Sequence, residues 1–167
     1  MNIISFEDFL KEENAILIDV RTPKEFLLEK IPNSVNIPVL LDEERVAVGT
    51  TYVQRSKESA KKMGIEFISK RLPEIFEQIQ ELSKKHSKLV FMCARGGMRS
   101  SSITSLFESL GYKVAKLQGG YKAYRDFVLN NISKVNENFK YIVVHGRTGV
   151  GKTKILNKMI ELGASVM

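Results

Sequence analysis

The only cysteine of the chain, Cys93, begins a glycine-rich segment in which two arginines follow within six residues. The segment is Cys93-Ala-Arg-Gly-Gly-Met-Arg99; the apolar run 88–92 precedes it, and residues 100–110 follow with the spacing of a helix that ends at Gly111. Cys93 is therefore predicted to lie in a strand–loop–helix unit. The N–H groups of such a loop, the positive end of the helix and the arginines all favour an anion, including a thiolate.

We predict that Cys93 is a nucleophile and that the next six residues form a cradle for an oxyanion or a persulfide. The cradle consists of Ala94, Arg95, Gly96, Gly97, Met98 and Arg99. A single cysteine is more often a buried structural residue. Two glycines and two arginines beside it would serve no packing purpose, and this composition favours the reactive role.

A second glycine-rich segment, Gly146-Arg-Thr-Gly-Val-Gly-Lys-Thr153, fits the phosphate-binding P-loop pattern in full. A strand is predicted before it, over Tyr141–His145, and a helix after it, over Lys154–Leu162. Loop N–H groups would wrap a phosphate, Lys152 would neutralise it, and Thr153 could hold Mg²⁺ beside a nucleotide. The predicted phosphate-binding residues are Gly146, Arg147, Thr148, Gly149, Val150, Gly151, Lys152 and Thr153.

The P-loop segment lacks other parts of a nucleotide-hydrolysing site. Such a site also needs an acidic residue from a later strand, and Glu161 is the only acidic residue after Thr153. One strand and one helix cannot bury their own apolar faces. We therefore expect this segment to be completed by a longer protein or by a second chain. No cluster of cysteine, histidine and acidic residues has zinc-ligand spacing, so no other metal site is predicted.

Alternating apolar runs and amphipathic segments predict an α/β fold with a mostly parallel sheet flanked by helices. We place this domain at residues 1–131, a linker at 132–139, and the first strand–loop–helix of a P-loop domain at 140–167. The predicted strands are 15–20, 88–92 and 114–118. The predicted helices are 6–13, one beginning at Pro23, 71–86, 100–110 and 121–131; residues 31–38 are predicted to be extended, and 42–64 to be a polar excursion with some helix.

The composition is that of an ordinary globular protein of 167 residues, with 43% hydrophobic residues and a net charge of +7. One cysteine excludes an internal disulfide, and no apolar run is long enough to cross a bilayer. We expect a cytoplasmic protein without a membrane partner. The positive charge suits a polyanion such as RNA, but a solvated lysine-rich surface explains it equally well.

Several landmarks give the first domain a resemblance to the rhodanese family of sulfur-transfer proteins. They are Ile18-Asp-Val-Arg21, Glu25-Phe26, Ile31-Pro-Asn-Ser-Val-Asn-Ile-Pro38 and the Cys93 loop. Further segments, together with the trailing P-loop, make nearly the whole chain similar to the tRNA 2-selenouridine synthase family. These segments are Asp42–Arg45, Val48–Thr50 with Tyr52 and Gln54, and Gly119–Ala123 with Arg125. Members of that family are longer, so the resemblance is to their N-terminal part.

The resemblance implies replacement of sulfur by selenium in the wobble 2-thiouridine of tRNA. Selenophosphate would be the selenium donor, and the sulfur would first be geranylated from geranyl diphosphate. Cys93 would be the nucleophile or selenium carrier, and the P-loop would meet a phosphate or diphosphate. The implied partners are tRNA, a selenophosphate-supplying enzyme and any second chain that completes the P-loop domain, with no tightly bound cofactor. Four residues are a candidate wall of the site or only order a surface loop: Arg45, Gly49, Thr50 and Tyr52.

Three alternatives stay open on the sequence. A stand-alone rhodanese sulfurtransferase or persulfide carrier needs only the first domain. A rhodanese-like cysteine phosphatase is consistent with the spacing Cys93-x5-Arg99-Ser100, although Met92 stands where such enzymes often have a histidine. A non-catalytic subunit could recruit tRNA or a partner chain through its basic surface.

Overall fold

The computed structural model describes residues 1–137, 140 and 142–166. Its contacts divide the chain into two units, Met1–Asn130 and Asn131–Met167. The described strands are β1 (Ile3–Ile4), β2 (Ala15–Asp19), β3 (Val35–Asn36), β4 (Lys88–Met92) and β5 (Val114–Leu117). The described helices are α1 (Phe6–Phe9), α2 (Pro23–Leu28), α3 (Asp42–Gln54), α4 (Lys57–Lys85), α5 (Met98–Ser109), α6 (Gly120–Asn136) and α7 (Lys152–Glu161).

The described strands form one parallel sheet in the order β1-β5-β4-β2-β3. The two central strands pair in register, from Ala15 opposite Lys88 to Asp19 opposite Met92. The chain therefore leaves β2 and β4 at the same edge of the sheet. Ligands of open parallel sheets bind at this carboxyl edge, and Cys93 is the first residue after β4 there.

The core of the first unit lies in two layers, as expected for a parallel sheet that helices cover. In one layer Ile75, Ile79, Ile103 and Phe107 pack with residues of β2 and β4. In the other layer, side chains of β1, β2, β4 and β5 pack with α1 and α6. Its buried members are Ile4, Phe6, Leu17, Ile31, Val90, Met92, Ala115 and Leu117. The two layers hold the strand ends, and thus the start of the Cys93 loop, in a fixed place.

The predicted α/β class, with a parallel sheet flanked by helices, is confirmed. The helix predicted at 71–86 is longer than expected and runs from Lys57 to Lys85, with Pro73 inside it. It begins where Ser56 caps it, and buried Ala60 and Gly64 extend its packed face towards Ile75. The helix predicted at 6–13 is shorter and ends at Phe9.

Helix α6 also exceeds its prediction, because it continues to Asn136 instead of stopping at residue 131. Ile132 and Val135 continue the apolar spacing that starts at Val128, although both side chains are exposed. Residues 132–136 of the predicted linker are therefore helical, whereas its residues 138 and 139 lie outside the described residues.

The second unit contains α7 after a glycine-rich turn. The strand predicted at 141–145 is wrong for residues 142–145, which are not in a strand, and Tyr141 lies outside the described residues. Ile142 and Val143 are more than four-fifths exposed. A single strand has no stability of its own without a neighbouring strand to pair with, which accounts for the difference.

Candidate active site

Cys93 lies at the carboxyl end of β4 and is almost fully buried. Its Sγ is 3.1 Å from the hydroxyl oxygen of Ser100, a fully buried residue of α5. A second polar atom, the carbonyl oxygen of Gly97, is 3.9 Å from the sulfur. When the sulfur is a thiolate, the Ser100 hydroxyl can donate a hydrogen bond to it. Ser100 is thus a site residue that the sequence analysis named only as part of the phosphatase-like spacing Cys93-x5-Arg99-Ser100.

The loop after Cys93 has the geometry of an anion cradle. Gly96 has a φ of +64°, and Gly97 is the N-cap of α5. Among the described residues, the backbone N–H groups of Arg95, Gly96 and Gly97 have no hydrogen-bond acceptor. Unpaired N–H groups next to a helix N-terminus attract negative charge. Ala94 to Gly97 form this loop, and Met98 is exposed as the first residue of α5. Their role as an anion cradle stays a prediction.

The start of α6 fixes the cysteine loop through backbone hydrogen bonds. The Tyr121 N–H donates to the carbonyl oxygen of Cys93 at 2.9 Å, and the Lys122 N–H donates to that of Ala94 at 3.0 Å. A Cβ atom at Gly120 would lie 2.0 Å from the Cys93 oxygen. Only glycine permits this approach. The sequence analysis named residues 119–123 only as a segment shared with a family, which gave no sign that Gly120 contacts the cysteine loop.

Arg99, a predicted cradle residue, forms a two-pronged ion pair with Glu25 of α2 that the sequence did not predict. Its Nη1 is 2.6 Å from Oε2 of Glu25, and its Nη2 is 3.2 Å from Oε1. Burial raises the pKa of Glu25, but hydrogen bonds from Arg99 and the Thr22 N–H outweigh this and lower it. Burial likewise lowers the pKa of Arg99, and the hydrogen bond and charge of Glu25 outweigh it and raise the pKa. Both groups are therefore held charged.

Glu25 also belongs to the capping box that starts α2. Its Oε2 accepts from the Thr22 N–H at 3.0 Å, and its own N–H donates to the Thr22 hydroxyl at 3.3 Å. The sequence carries this signal, Thr22-x-x-Glu25 with Pro23 at the first helical position. This local pattern predicts where α2 begins. The pairing of Glu25 with Arg99, 74 residues away, becomes visible only in the folded structure.

A cleft of about 620 Å³ opens beside the cysteine loop. It is lined by Arg21, Glu25, Leu28, Glu29, Ala94, Arg95, Tyr121, Lys122 and Arg125. Arg21 is buried, pairs with Asp19 at 2.7 Å, and lies 4.2 Å from the ring centre of Tyr121. Burial and the charge of Glu29 raise the pKa of Tyr121, which therefore stays uncharged at neutral pH. The cleft thus combines cations with an uncharged aromatic wall.

A second cleft, of about 630 Å³, lies between α2 and α3. Arg45 lines it together with Glu25, so this member of the predicted wall comes close to the site. Gly49 packs against Arg45, where an added Cβ would be 3.1 Å from its Nη1. Thr50 and the exposed Tyr52 follow on α3, with Lys57 lying 5.9 Å from the Tyr52 ring centre.

The family assignment rests on a match to a known domain. Residues 4–127 match the family model described as the rhodanese-like domain. The chain belongs to this family.

Named relatives of the rhodanese-like chain are longer proteins. It is 40% identical, over 144 residues, to tRNA 2-selenouridine synthase of Nitrosomonas eutropha (strain DSM 101675 / C91 / Nm57), a match that covers 86% of this chain and 37% of the relative. The protein of the same name from Sulfurovum sp. (strain NBC37-1) is 37% identical and is covered to 40% of its length. The resemblance predicted from the sequence is thereby confirmed.

A solved structure is similar to the same part of the chain. It is the crystal structure of the N-terminal domain of a protein described as ATP/GTP binding, from Clostridium difficile 630. The two chains are 43% identical with a TM-score of 0.75, and the match covers 77% of this chain and 99% of the other. The similarity agrees with the rhodanese-like fold of the first unit.

The predicted P-loop residues lie outside the rhodanese-like match. Gly151 is the N-cap of α7, with a φ of +89°. The Lys152 ammonium group donates to the carbonyl oxygens of Gly146 and Arg147, at 2.8 and 2.7 Å, and Thr153 follows it in the first turn of α7. The loop therefore folds back over its own lysine. Its role in phosphate binding stays a prediction, as does Mg²⁺ binding at Thr153.

The part of the chain that the structure describes contains no group of three or more histidine, cysteine or acidic side chains placed to hold a metal ion. None of its helices is both long enough and apolar enough to span a membrane.

Proposed function

We propose that this chain is the selenium-loading part of a tRNA 2-selenouridine synthase. The observation that carries the proposal is Cys93 at the mouth of a loop with unpaired N–H groups, in a rhodanese-like domain whose relatives have that name. Its tRNA substrate comes from the name of those relatives. We place the reaction in the cytoplasm, and an enzyme that makes selenophosphate would supply the donor.

In the loading step the Cys93 thiolate attacks the selenium of selenophosphate. A sulfur–selenium bond forms and the selenium–phosphorus bond breaks, and the bonding electron pair leaves with phosphorus as phosphite. The loop N–H groups of Arg95, Gly96 and Gly97 stabilise the negative charge of the donor and then of the perselenide. Ser100 holds the sulfur in position.

In the transfer step the terminal selenium attacks C2 of the tRNA base, whose sulfur leaves as geranylthiol if it has first been alkylated from geranyl diphosphate. Two thiols then reduce the selenium–sulfur bond between Cys93 and the base. They are oxidised to a disulfide, selenium stays on the base, and Cys93 returns to its thiolate form. The P-loop residues, with Lys152 and Thr153, would bind the diphosphate with Mg²⁺ once the rest of their domain is supplied by the same or a second chain. No resident cofactor is needed in this scheme.

The test is intact-mass spectrometry after incubation with selenophosphate, with Cys93→Ser as the matched control. A selenium adduct with its isotope pattern on the wild-type protein only, together with phosphite, supports the proposal. Orthophosphate together with a phosphorylated Cys93, or with no adduct, would mean attack on phosphorus, as in a cysteine phosphatase, and would contradict it.

Sulfur transfer is the second candidate function, because the family model that matches is the rhodanese-like domain. Here Cys93 would attack the outer sulfur of thiosulfate, form a persulfide and release sulfite. A sulfur adduct from thiosulfate without a selenium adduct from selenophosphate would favour this persulfide carrier.

A further inference from the structure

We propose that the cleft beside the cysteine loop binds the target nucleotide of an RNA substrate, with its phosphates on Arg95, Lys122 and Arg125. These three residues line the cleft of about 620 Å³ and are exposed to solvent. The inference rests on the proposed function, because that function makes RNA the substrate. It adds where on this chain the RNA lies.

The charge balance of the cleft favours a polyanion. Arg95, Lys122 and Arg125 form no ion pair among the described residues. Of the two acidic residues in the lining, Glu25 is already neutralised by Arg99, which leaves Glu29. Three free cations therefore face one free carboxylate. RNA carries one negative charge per nucleotide, and neutralising phosphates with lysine and arginine supplies much of the affinity for nucleic acids.

The wall of the cleft suits an unpaired base. Tyr121 is partly buried, stays uncharged at neutral pH, and is backed by the guanidinium group of Arg21 at 4.2 Å. Sequence-specific RNA recognition relies on bases that leave the stack and lie on aromatic rings or guanidinium planes. The volume falls in the range of about 300–1,000 Å³ that small-molecule sites have, which is room for one extruded nucleotide.

Backbone hydrogen bonds join the wall of the cleft to the cysteine loop. Tyr121 and Lys122 are the residues whose N–H groups bind the carbonyl oxygens of Cys93 and Ala94. A base against Tyr121 is thereby held next to the cysteine loop. The surface lysines of α4 lack these hydrogen bonds to the loop. Substituting two of them changes the net charge by the same amount and therefore serves as the control.

The experiment measures binding of an anticodon stem-loop RNA containing 2-thiouridine to the full chain by fluorescence anisotropy over a salt series. The test variant is Lys122→Glu with Arg125→Glu, and the control is Lys62→Glu with Lys70→Glu, two exposed positions of α4. Both variants change the net charge by the same amount. Circular dichroism melting curves establish that each is folded, and a milder Lys122→Gln, Arg125→Gln variant is measured beside them.

We expect the test variant to lose at least about tenfold in affinity, with a salt slope smaller by roughly 1.4 because two phosphate contacts are lost. The glutamine variant should lose less, and the control less than about threefold. Equal losses in test and control would show unspecific attraction to a basic surface and would overturn the inference, as would no loss in either. Selenium loading of the wild-type Cys93 is measured separately. If loading fails while the RNA loss is selective, the selenium chemistry is wrong and the cleft assignment stands.

Discussion

Replacing Gly120 by alanine should displace the cysteine loop from the start of α6. The added Cβ would lie 2.0 Å from the carbonyl oxygen of Cys93 and 2.7 Å from the nitrogen of Gly96, both backbone atoms. Gly120 also has a φ of +60°, which costs an alanine about 1–2 kcal/mol. Overpacking adds about 1–3 kcal/mol. The total loss in the free energy of unfolding is therefore about 2–5 kcal/mol.

Gly111 offers the matched control, because it shares the positive φ without the clash. Its φ is +87°, and an added Cβ would meet no atom within 4 Å. Gly111→Ala should therefore lose only the backbone cost of about 1–2 kcal/mol. The difference between the two variants, about 1–3 kcal/mol, isolates the contact with the cysteine loop.

Urea unfolding followed by far-UV circular dichroism measures both variants, since the chain has no tryptophan. Adduct formation at Cys93 from thiosulfate or selenophosphate, followed by mass, reports on the loop itself. We expect Gly120→Ala to load at least about tenfold more slowly and Gly111→Ala to load normally. If Gly120→Ala were no less stable than Gly111→Ala and loaded at the wild-type rate, the contact between the loop and α6 would not matter for the site.

The other predictions concern side chains around the loop. Glu25→Gln should cost about 1.5–3 kcal/mol in urea unfolding, because it leaves the largely buried Arg99 without its carboxylate. The pKa of Glu25 is lowered in the folded protein, so the ion pair adds its full share to the free energy of unfolding above the unfolded-state pKa of about 4.3. This stabilisation is lost as the pH falls through the lower pKa of the folded protein. The variant has no carboxylate here and should lack this acid-dependent loss of stability. Ser100→Ala should slow iodoacetamide alkylation of Cys93 several-fold at neutral pH, and an unchanged rate would exclude a hydrogen bond to the thiolate. Asp19→Asn should cost about 3–5 kcal/mol in thermal unfolding, because its buried arginine partner is left unpaired, and a loss below about 1 kcal/mol would contradict this.

Local sequence patterns predicted the elements around the cysteine well. The strand over 88–92 is confirmed residue for residue, and the following helix begins two residues earlier than expected, at Met98. Both rest on side-chain periodicity and on glycine placement, which act within a few residues of the chain. Strand β1 was missed because it has two residues and exists through pairing with β5, a contact across more than a hundred residues.

The long helix α4 shows a different limit. Pro73 lies inside it, although proline removes a backbone hydrogen bond and normally ends a helix. Burial of Ala60 and Gly64 before the proline, and of Ile75 and Ile79 after it, stabilises one continuous packed face. Tertiary packing thus overrides a strong local signal, and the sequence alone gives no measure of that packing energy.

The candidate site likewise combines a local motif, which the sequence shows, with contacts between distant elements, which it does not. Cys93 and its loop are a local motif and were recognised from spacing. Glu25, Ser100 and Gly120 act on that motif from α2, α5 and α6, and their contacts appear only after the sheet brings the strand ends together. The sequence therefore predicted Cys93 as the nucleophile but not the residues that contact its loop.

The ion pair between Arg99 and Glu25 is compatible with a role for Arg99 in the cradle. A guanidinium group has five N–H donors in a rigid plane, and the hydrogen bonds to Glu25 use two of them. Glu25 can thus fix the plane of Arg99 while the other donors remain for an anion. Because Glu25 also caps α2, the start of that helix and the orientation of the arginine are set by one carboxylate. The charge that the loop offers to a donor anion therefore depends on a helix formed some seventy residues earlier in the chain.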